Sequence, residues 1–377
     1  MFKKIFAAFA VSFVLLAASC SESEPYFVPE EEKLWKIYEN DFLIGNIVNS
    51  TYLSGMHFQL LKTHYNAVTC ENDMKPNYLA PARNSYTFSA ADNMVNNMIA
   101  NGMTVIGHTL VWHSQSPAWL TSGTNEQVRA NLVKYITDVA GHFRGRIHAW
   151  DVVNEAFLYP FNVPITNDTE WKSGLRTAEQ INWNKASTDE MTYIELAFRT
   201  ARTADPGAIL YYNDFDLNNP SKAKAVRNMV NDINTRWLAE QRETDPDYDR
   251  FLVEGVGLQT HYGLSWWNAG NFNNVKNNIE NFLRLGIEVS ITEMDITIPN
   301  NTSSMLDAQA LVYAQLFDLY VRLNEQYDNR IKRVTMWGID DNTSWRRGQF
   351  PCLFNENLQP KKAFYAVSNP QSFINRQ

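Results

Sequence analysis

The chain has 377 residues, enough for one large domain or two modest ones. Hydrophobic residues make up 45% and charged residues 20%, which excludes wholesale disorder. A net charge of −8 argues against a nucleic-acid partner, because such binders concentrate Lys and Arg, and it leaves a neutral substrate open.

The N-terminus starts basic at Lys3 and Lys4, runs apolar over residues 5–18, and reaches small residues and a cysteine at Ala17-Ala18-Ser19-Cys20. The apolar run is too short to span a bilayer, so residues 1–20 read as an export signal. Its end resembles a bacterial lipoprotein signal, which makes Cys20 the expected lipidation site; ordinary cleavage nearby is the other reading. The expected location is the outer membrane or cell surface, through that anchor alone, with a periplasmic or secreted protein as the alternative. Residues 21–35 carry Glu22, Glu24, Glu30, Glu31 and Glu32 and are expected to form an extended, solvated linker.

From residue 36 to 372, short apolar runs alternate with longer amphipathic segments. The strands expected are 42–48, 66–69, 104–109, 147–154, 209–213, 255–260, 288–292 and 332–337. Helical patterns fall at 90–100, 125–143, 191–204, 221–238, 275–285 and 308–327. Eight strands alternating with helices point to an α/β architecture, a (β/α)8 TIM barrel forming a single catalytic domain. An open doubly wound sheet binding dinucleotides would need a glycine-rich turn after the first strand, and Ile47-Val48-Asn49-Ser50 offers none. The irregular segment 157–189 follows the fourth strand; it reads either as a wall of a substrate cleft or as an insertion without a role. Cys70 and Cys352 sit in apolar stretches and read as buried thiols. No Cys or His spacing points to a metal, and no cofactor is expected.

Two acids carry the chemistry. Glu155 closes the run Trp150-Asp151-Val152-Val153-Asn154, and Glu293 closes Val289-Ser290-Ile291-Thr292. Each falls where its strand is expected to meet its loop, the edge at which a parallel barrel places catalysis. Paired carboxylates there suggest glycoside hydrolysis. Side chains alternate along a strand, so Glu293 shares a face with Asp295, and Gln259 shares one with His261. An imidazole among these groups can orient a carboxylate and tune its charge. Polar and aromatic clusters close other strands: Glu71-Asn72-Asp73-Met74-Lys75, His108-Thr109-Leu110-Val111-Trp112-His113-Ser114-Gln115, Tyr212-Asn213-Asp214, and Trp337 to Trp345.

Taken together and in this order, these motifs resemble the glycoside hydrolase family 10 endo-β-1,4-xylanases, over residues 36 to 370. The resemblance implies a hydrolase of xylan and xylo-oligosaccharides, acting as a monomer with retention of anomeric configuration. It implies Glu155 as acid/base, Glu293 as nucleophile, Asn154 as the amide on the sugar 2-hydroxyl, and His261 with Asp295 as the pair that orients the nucleophile. Lys75, His108, Gln259, Trp337 and Trp345 would line the subsite where the sugar is cut. Glu71, Asn72 and Trp112 would hold sugars on the non-reducing side, and Tyr212 and Asn213 would line the leaving-group side. The rival readings are another β-1,4-glycanase on this fold, or a surface glycan-binding lipoprotein that does not cut.

Overall fold

A computed structural model describes residues 28–177 and 179–375. The export signal, Cys20 and the first part of the acidic linker lie outside the described residues. The remainder of that linker is not the extended tether expected. Glu30–Glu32 forms a 3-10 turn, Leu34–Ile37 forms a helical turn, and Leu34 is buried. An apolar side chain with core to enter outweighs the acidic composition beside it, so the folded domain includes Leu34.

The strands are β1 (Leu43–Val48), β2 (Ala67–Cys70), β3 (Thr104–Trp112), β4 (Ala149–Asn154), β5 (Ile209–Asp214), β6 (Gly255–Leu258), β7 (His261–Gly263), β8 (Glu288–Thr297) and β9 (Ile331–Met336). They pair in parallel in the order β6-β5-β4-β3-β2-β1-β9-β8-β7, and a further β6–β8 pairing closes the sheet on itself. β6 and β7 are two segments of one stave, so the closed barrel has eight staves, as expected. Helices link them and leave β2 and β4 buried along their full length, which is why both read as near-continuous apolar runs.

Three staves depart from the expected limits in ways that shape the site. The sixth breaks at Gln259-Thr260, where Thr260 takes φ +60, and resumes at His261. β8 continues to Thr297, so Glu293 lies inside a strand rather than at its end. The cause is pairing: the inner half of β8 bonds β6, with Gly255 opposite Glu288, and its outer half bonds β7, with His261 opposite Asp295. β3 likewise runs on past its expected end at residue 109, which carries Trp112 on the strand itself.

The six expected helices form as Ser89–Ala100, Asn125–His142, Tyr193–Ala204, Pro220–Arg242, Ala269–Leu283 and Ser303–Gln326. Their N-termini are specified locally. Thr124 and Gln127 make a reciprocal capping box, and the Asn219 side chain accepts from the amides of Ser221 and Lys222. Besides single helical turns, the helices Gly55–His64 and Lys362–Ser368 add to the expected set. The first opens on glycine and interleaves His57, Gln59, Lys62 and Thr63 with its apolar residues.

The segment 157–189 is packed. Phe157, Phe161, Trp171 and Trp183 are buried. Trp171 Nε1 donates to Asp232 (3.1 Å) and Trp183 Nε1 to the Trp112 carbonyl (3.0 Å). Cys70 and Cys352 are free, buried thiols, as read from sequence.

Candidate active site

The strand ends on one face of the barrel open into a cleft of about 680 Å³. Glu71, Asn72, Lys75, His108, Trp112, Asn154, Glu155, Gln259, His261, Glu293, Trp337 and Trp345, all expected at the site, line it. They come from β2, β3, β4, the broken sixth stave, β8 and the segment after β9, so barrel closure brings together residues up to 274 positions apart in sequence, Glu71 to Trp345.

Glu293 is held from two sides. Asn213 Nδ2 donates to Oε1 (2.8 Å), and His261 Nε2 lies 3.2 Å from Oε2. Burial alone would push this carboxyl up. The hydrogen bonds from His261 and Asn213, with the charges of His108 and His261, outweigh burial and hold it below the usual carboxylate value. Asp295 stands behind His261, with Oδ2 at 2.9 Å from Nδ1. Burial disfavours the imidazolium, but Asp295 and Glu293 together raise His261 to about 9. His261 therefore bridges two carboxylates as a cation at neutral pH. Trp345 Nε1 donates to Asp295 Oδ2 (2.9 Å), and Arg346 lies 3.1 Å from Oδ1.

Glu155 has a different shell. Its φ of +58 turns the side chain off the end of β4, and its amide donates to the Asn213 carbonyl (2.9 Å). Gln259 Nε2 donates to Oε1 (2.9 Å), and Asn154 Nδ2 reaches the same oxygen at 3.4 Å. His113 Nδ1 stands 3.7 Å from Oε2, and burial keeps that imidazole below its usual pKa. Glu155 thus hydrogen-bonds neutral amides where Glu293 meets an imidazolium. One carboxyl is set up to stay ionised, and the other lacks that anchor. Such a pair can divide nucleophilic and acid–base work.

Two expectations need correction. Tyr212 and Asn213 do not line the leaving-group side. Tyr212 is fully buried; its hydroxyl donates to Asp214 (2.5 Å) and accepts from the Ala156 amide (3.0 Å). Asn213 is buried beneath the cleft, bonded to Glu293, to Asn154 Oδ1 (3.0 Å) and to the Thr292 hydroxyl (2.6 Å). The parity of β5 turns Asn213 into the barrel, where it supports Glu293 instead. Gly257 makes its room: a Cβ there would meet Asn213 Oδ1 at 2.3 Å and Thr292 at 2.7 Å.

Further residues, some of them outside the expected set, complete the site. Asp151 accepts from His108 Nδ1 (3.0 Å) and pairs with Arg333 (3.3 Å) inside the barrel, which fixes the His108 ring. Lys75 Nζ donates to Asn72 (3.0 Å) and stands 5.2 Å from the Trp112 ring; burial lowers its pKa against the pull of Glu293 and Glu71. Tyr159, Phe215, Asp216, Asn218 and Trp266 also line the cleft. Among the described residues, no group of three or more His, Cys, Asp or Glu side chains is arranged to hold a metal ion.

A closed parallel barrel that presents two unlike carboxylates, an imidazolium between acids, and indoles is the arrangement of a barrel glycosidase. Comparison with known proteins narrows the class. The sequence model of Glycosyl hydrolase family 10 matches residues 33–370. The Beta-1,4-xylanase of Dictyoglomus thermophilum is 34% identical over 365 residues, covering 90% of this chain and 93% of that protein. Endo-1,4-beta-xylanase A of Thermotoga maritima is 33% identical over 368 residues; the match covers 91% of this chain, which spans only 31% of that longer protein. Among solved structures, a bacterial Ig-like domain containing GH10 xylanase from termite gut superposes with a TM-score of 0.78 at 33% identity, over 91% of this chain and 78% of that one. The chain belongs to glycosyl hydrolase family 10.

Proposed function

We propose that this glycoside hydrolase is an endo-1,4-β-xylanase that cleaves internal xylosidic bonds with retention, through a covalent glycosyl-enzyme intermediate. The observation that carries the reading is the unequal pair of carboxylates. Glu293, held ionised by His261 and Asn213, attacks the anomeric carbon. Glu155 protonates the departing oxygen, then takes the proton from the water that releases the sugar. Asn154, beside Glu155, is placed to meet the 2-hydroxyl, while Lys75, His108, Gln259 and Trp337 surround the sugar being cut. The names of the relatives support xylan over other glycans.

The experiment is a pair of assays. The wild-type protein should release reducing sugar from xylan far faster than from carboxymethylcellulose; the reverse order would make it a different β-1,4-glycanase, and no release from either would leave a glycan-binding protein. Glu155→Gln should nearly abolish xylan cleavage while sparing the first step on aryl xylosides with good leaving groups. Equal loss of that step on both substrates would remove Glu155 from the acid role. We also propose export with lipid attachment at Cys20. Radiolabelled palmitate should enter the wild-type protein and not Cys20→Ser, and equal labelling of both would refute the anchor.

A further inference from the structure

We infer that Tyr159, carried into the cleft by the segment 157–189, is a sugar-stacking residue for the departing half of the substrate and helps decide where the chain is cut. The inference rests on the xylanase reading above and adds to it a residue outside the expected site.

The segment is built as a wall. It buries Phe157, Phe161, Trp171 and Trp183 and ties the two indoles to the helix Pro220–Arg242 and to the end of β3. It is also fastened to the acid at its base: Arg176 Nε donates to the Glu155 carbonyl (2.8 Å), and the Arg176 amide donates to the Ala156 carbonyl (2.9 Å). One large ring in the segment is left out of this packing. Tyr159 is 57% exposed, and it faces the cleft. Leaving an aromatic ring in water forgoes its burial, so a rigid wall that does this at one cleft-facing position has a use for the bare face.

The placement says which use. Among the described residues, the exposed rings that line the cleft are Tyr159 and Trp345, each at 57%. They flank the two carboxylates. Trp345 bonds Asp295 and stands edge-on to His261 at 5.0 Å, on the Glu293 side. Tyr159 lies four residues past Glu155, on the side from which the leaving oxygen is protonated. Glu71 and Asn72, which would grip the non-reducing end, are at the end of β2, two staves before β4. The opposite wall, from β5 and the sixth stave, carries Phe215, Asp216, Asn218 and Trp266 beside Tyr159.

That wall has the makings of a pyranose site. Phe215 meets Tyr159 at 4.9 Å and 63°, an edge-to-face contact that fixes the plane of the exposed ring. Asp216 and Asn218, next to this pair, offer polar atoms to sugar hydroxyls. A β-1,4-linked xylosyl residue, with an apolar C–H face and a polar rim, matches the combination. Tyr212, expected on this side, is buried, and beside the less exposed rings of Phe215 and Trp266 it is Tyr159 that offers a bare face to the departing sugar.

The test compares xylohexaose, labelled at its reducing end, with β-xylobiosyl fluoride, whose leaving group places no sugar on this wall. Tyr159→Ala should lower kcat/KM on xylohexaose by about five- to tenfold, on the scale of one aromatic contact. The cuts should move toward the reducing end, leaving fewer sugars on the departing side. The loss should be several-fold smaller on the fluoride, and Tyr159→Phe should restore most of the hexaose rate and pattern. Unchanged cleavage positions in Tyr159→Ala, or an equal loss on both substrates, would overturn the inference. A wild-type enzyme that leaves xylohexaose intact would instead sink the xylanase reading, and this inference with it.

Discussion

Replacing His261 with Gln should remove a specific slope from the dependence of stability on pH. The imidazole is buried between Asp295 (2.9 Å) and Glu293 (3.2 Å), and these carboxylates raise its pKa from 6.5 to about 9 against the cost of burial. A group whose folded pKa is raised stabilises the fold fully below its unfolded pKa, and that contribution is lost as pH rises through the folded value. The gap between 6.5 and about 9 corresponds to about 3 kcal/mol. Gln can still donate a hydrogen bond but does not titrate. Equilibrium urea unfolding of wild type and His261→Gln from pH 6 to 10 gives the difference curve. The wild-type advantage should shrink by about 3 kcal/mol between pH 6.5 and 9. A difference that stays level across that window would mean His261 is not a buried cation, and the account of how Glu293 is kept ionised would fail.

Other consequences follow from the same network. Asn213→Ala removes a hydrogen bond to a charged group, worth about 1.5–3 kcal/mol. The acid limb of kcat/KM on an aryl β-xylobioside should move to higher pH, because Glu293 loses a group that lowers its pKa, and the plateau should fall about 10- to 100-fold. Gly257→Ala puts a methyl group against Asn213 and Thr292. It should cost about 1–3 kcal/mol by thermal unfolding, and kcat should drop further than the small change in Tm suggests. Arg333→Met leaves Asp151 buried without its cation and should destabilise by about 3–5 kcal/mol in urea; a loss under about 1 kcal/mol would show that His108 alone suffices to carry that charge.

The barrel was legible because each stave is a short apolar run between amphipathic helices, a pattern few architectures produce. Most of the cleft was legible because Glu155, Gln259 and His261 sit at or next to strand ends. What escaped the sequence depends on how staves pair. Glu293 looked terminal because polar Thr292 and Glu293 interrupt the apolar run, yet β8 continues to Thr297 once β7 pairs beside it. Asn213 looked like a cleft residue because it neighbours Tyr212 in a polar cluster; its burial beneath Glu293 depends on the space left by Gly257, 44 positions away in sequence. Tyr159 carried no signal at all. Nothing in Phe157-Leu158-Tyr159-Pro160-Phe161 marks the middle ring as the exposed one until the others are seen to pack.

The central claim is that Glu293 attacks the sugar and is covalently bound to it mid-reaction. A 2-deoxy-2-fluoro-β-xylobioside with a good leaving group slows release of that intermediate more than its formation, so the adduct accumulates. Mass spectrometry of the digested, inactivated enzyme should find one sugar-bearing peptide, with the sugar on Glu293. A label on Glu155 or elsewhere, or no label in an enzyme whose first xylo-oligosaccharide product is the α-anomer, would contradict the account.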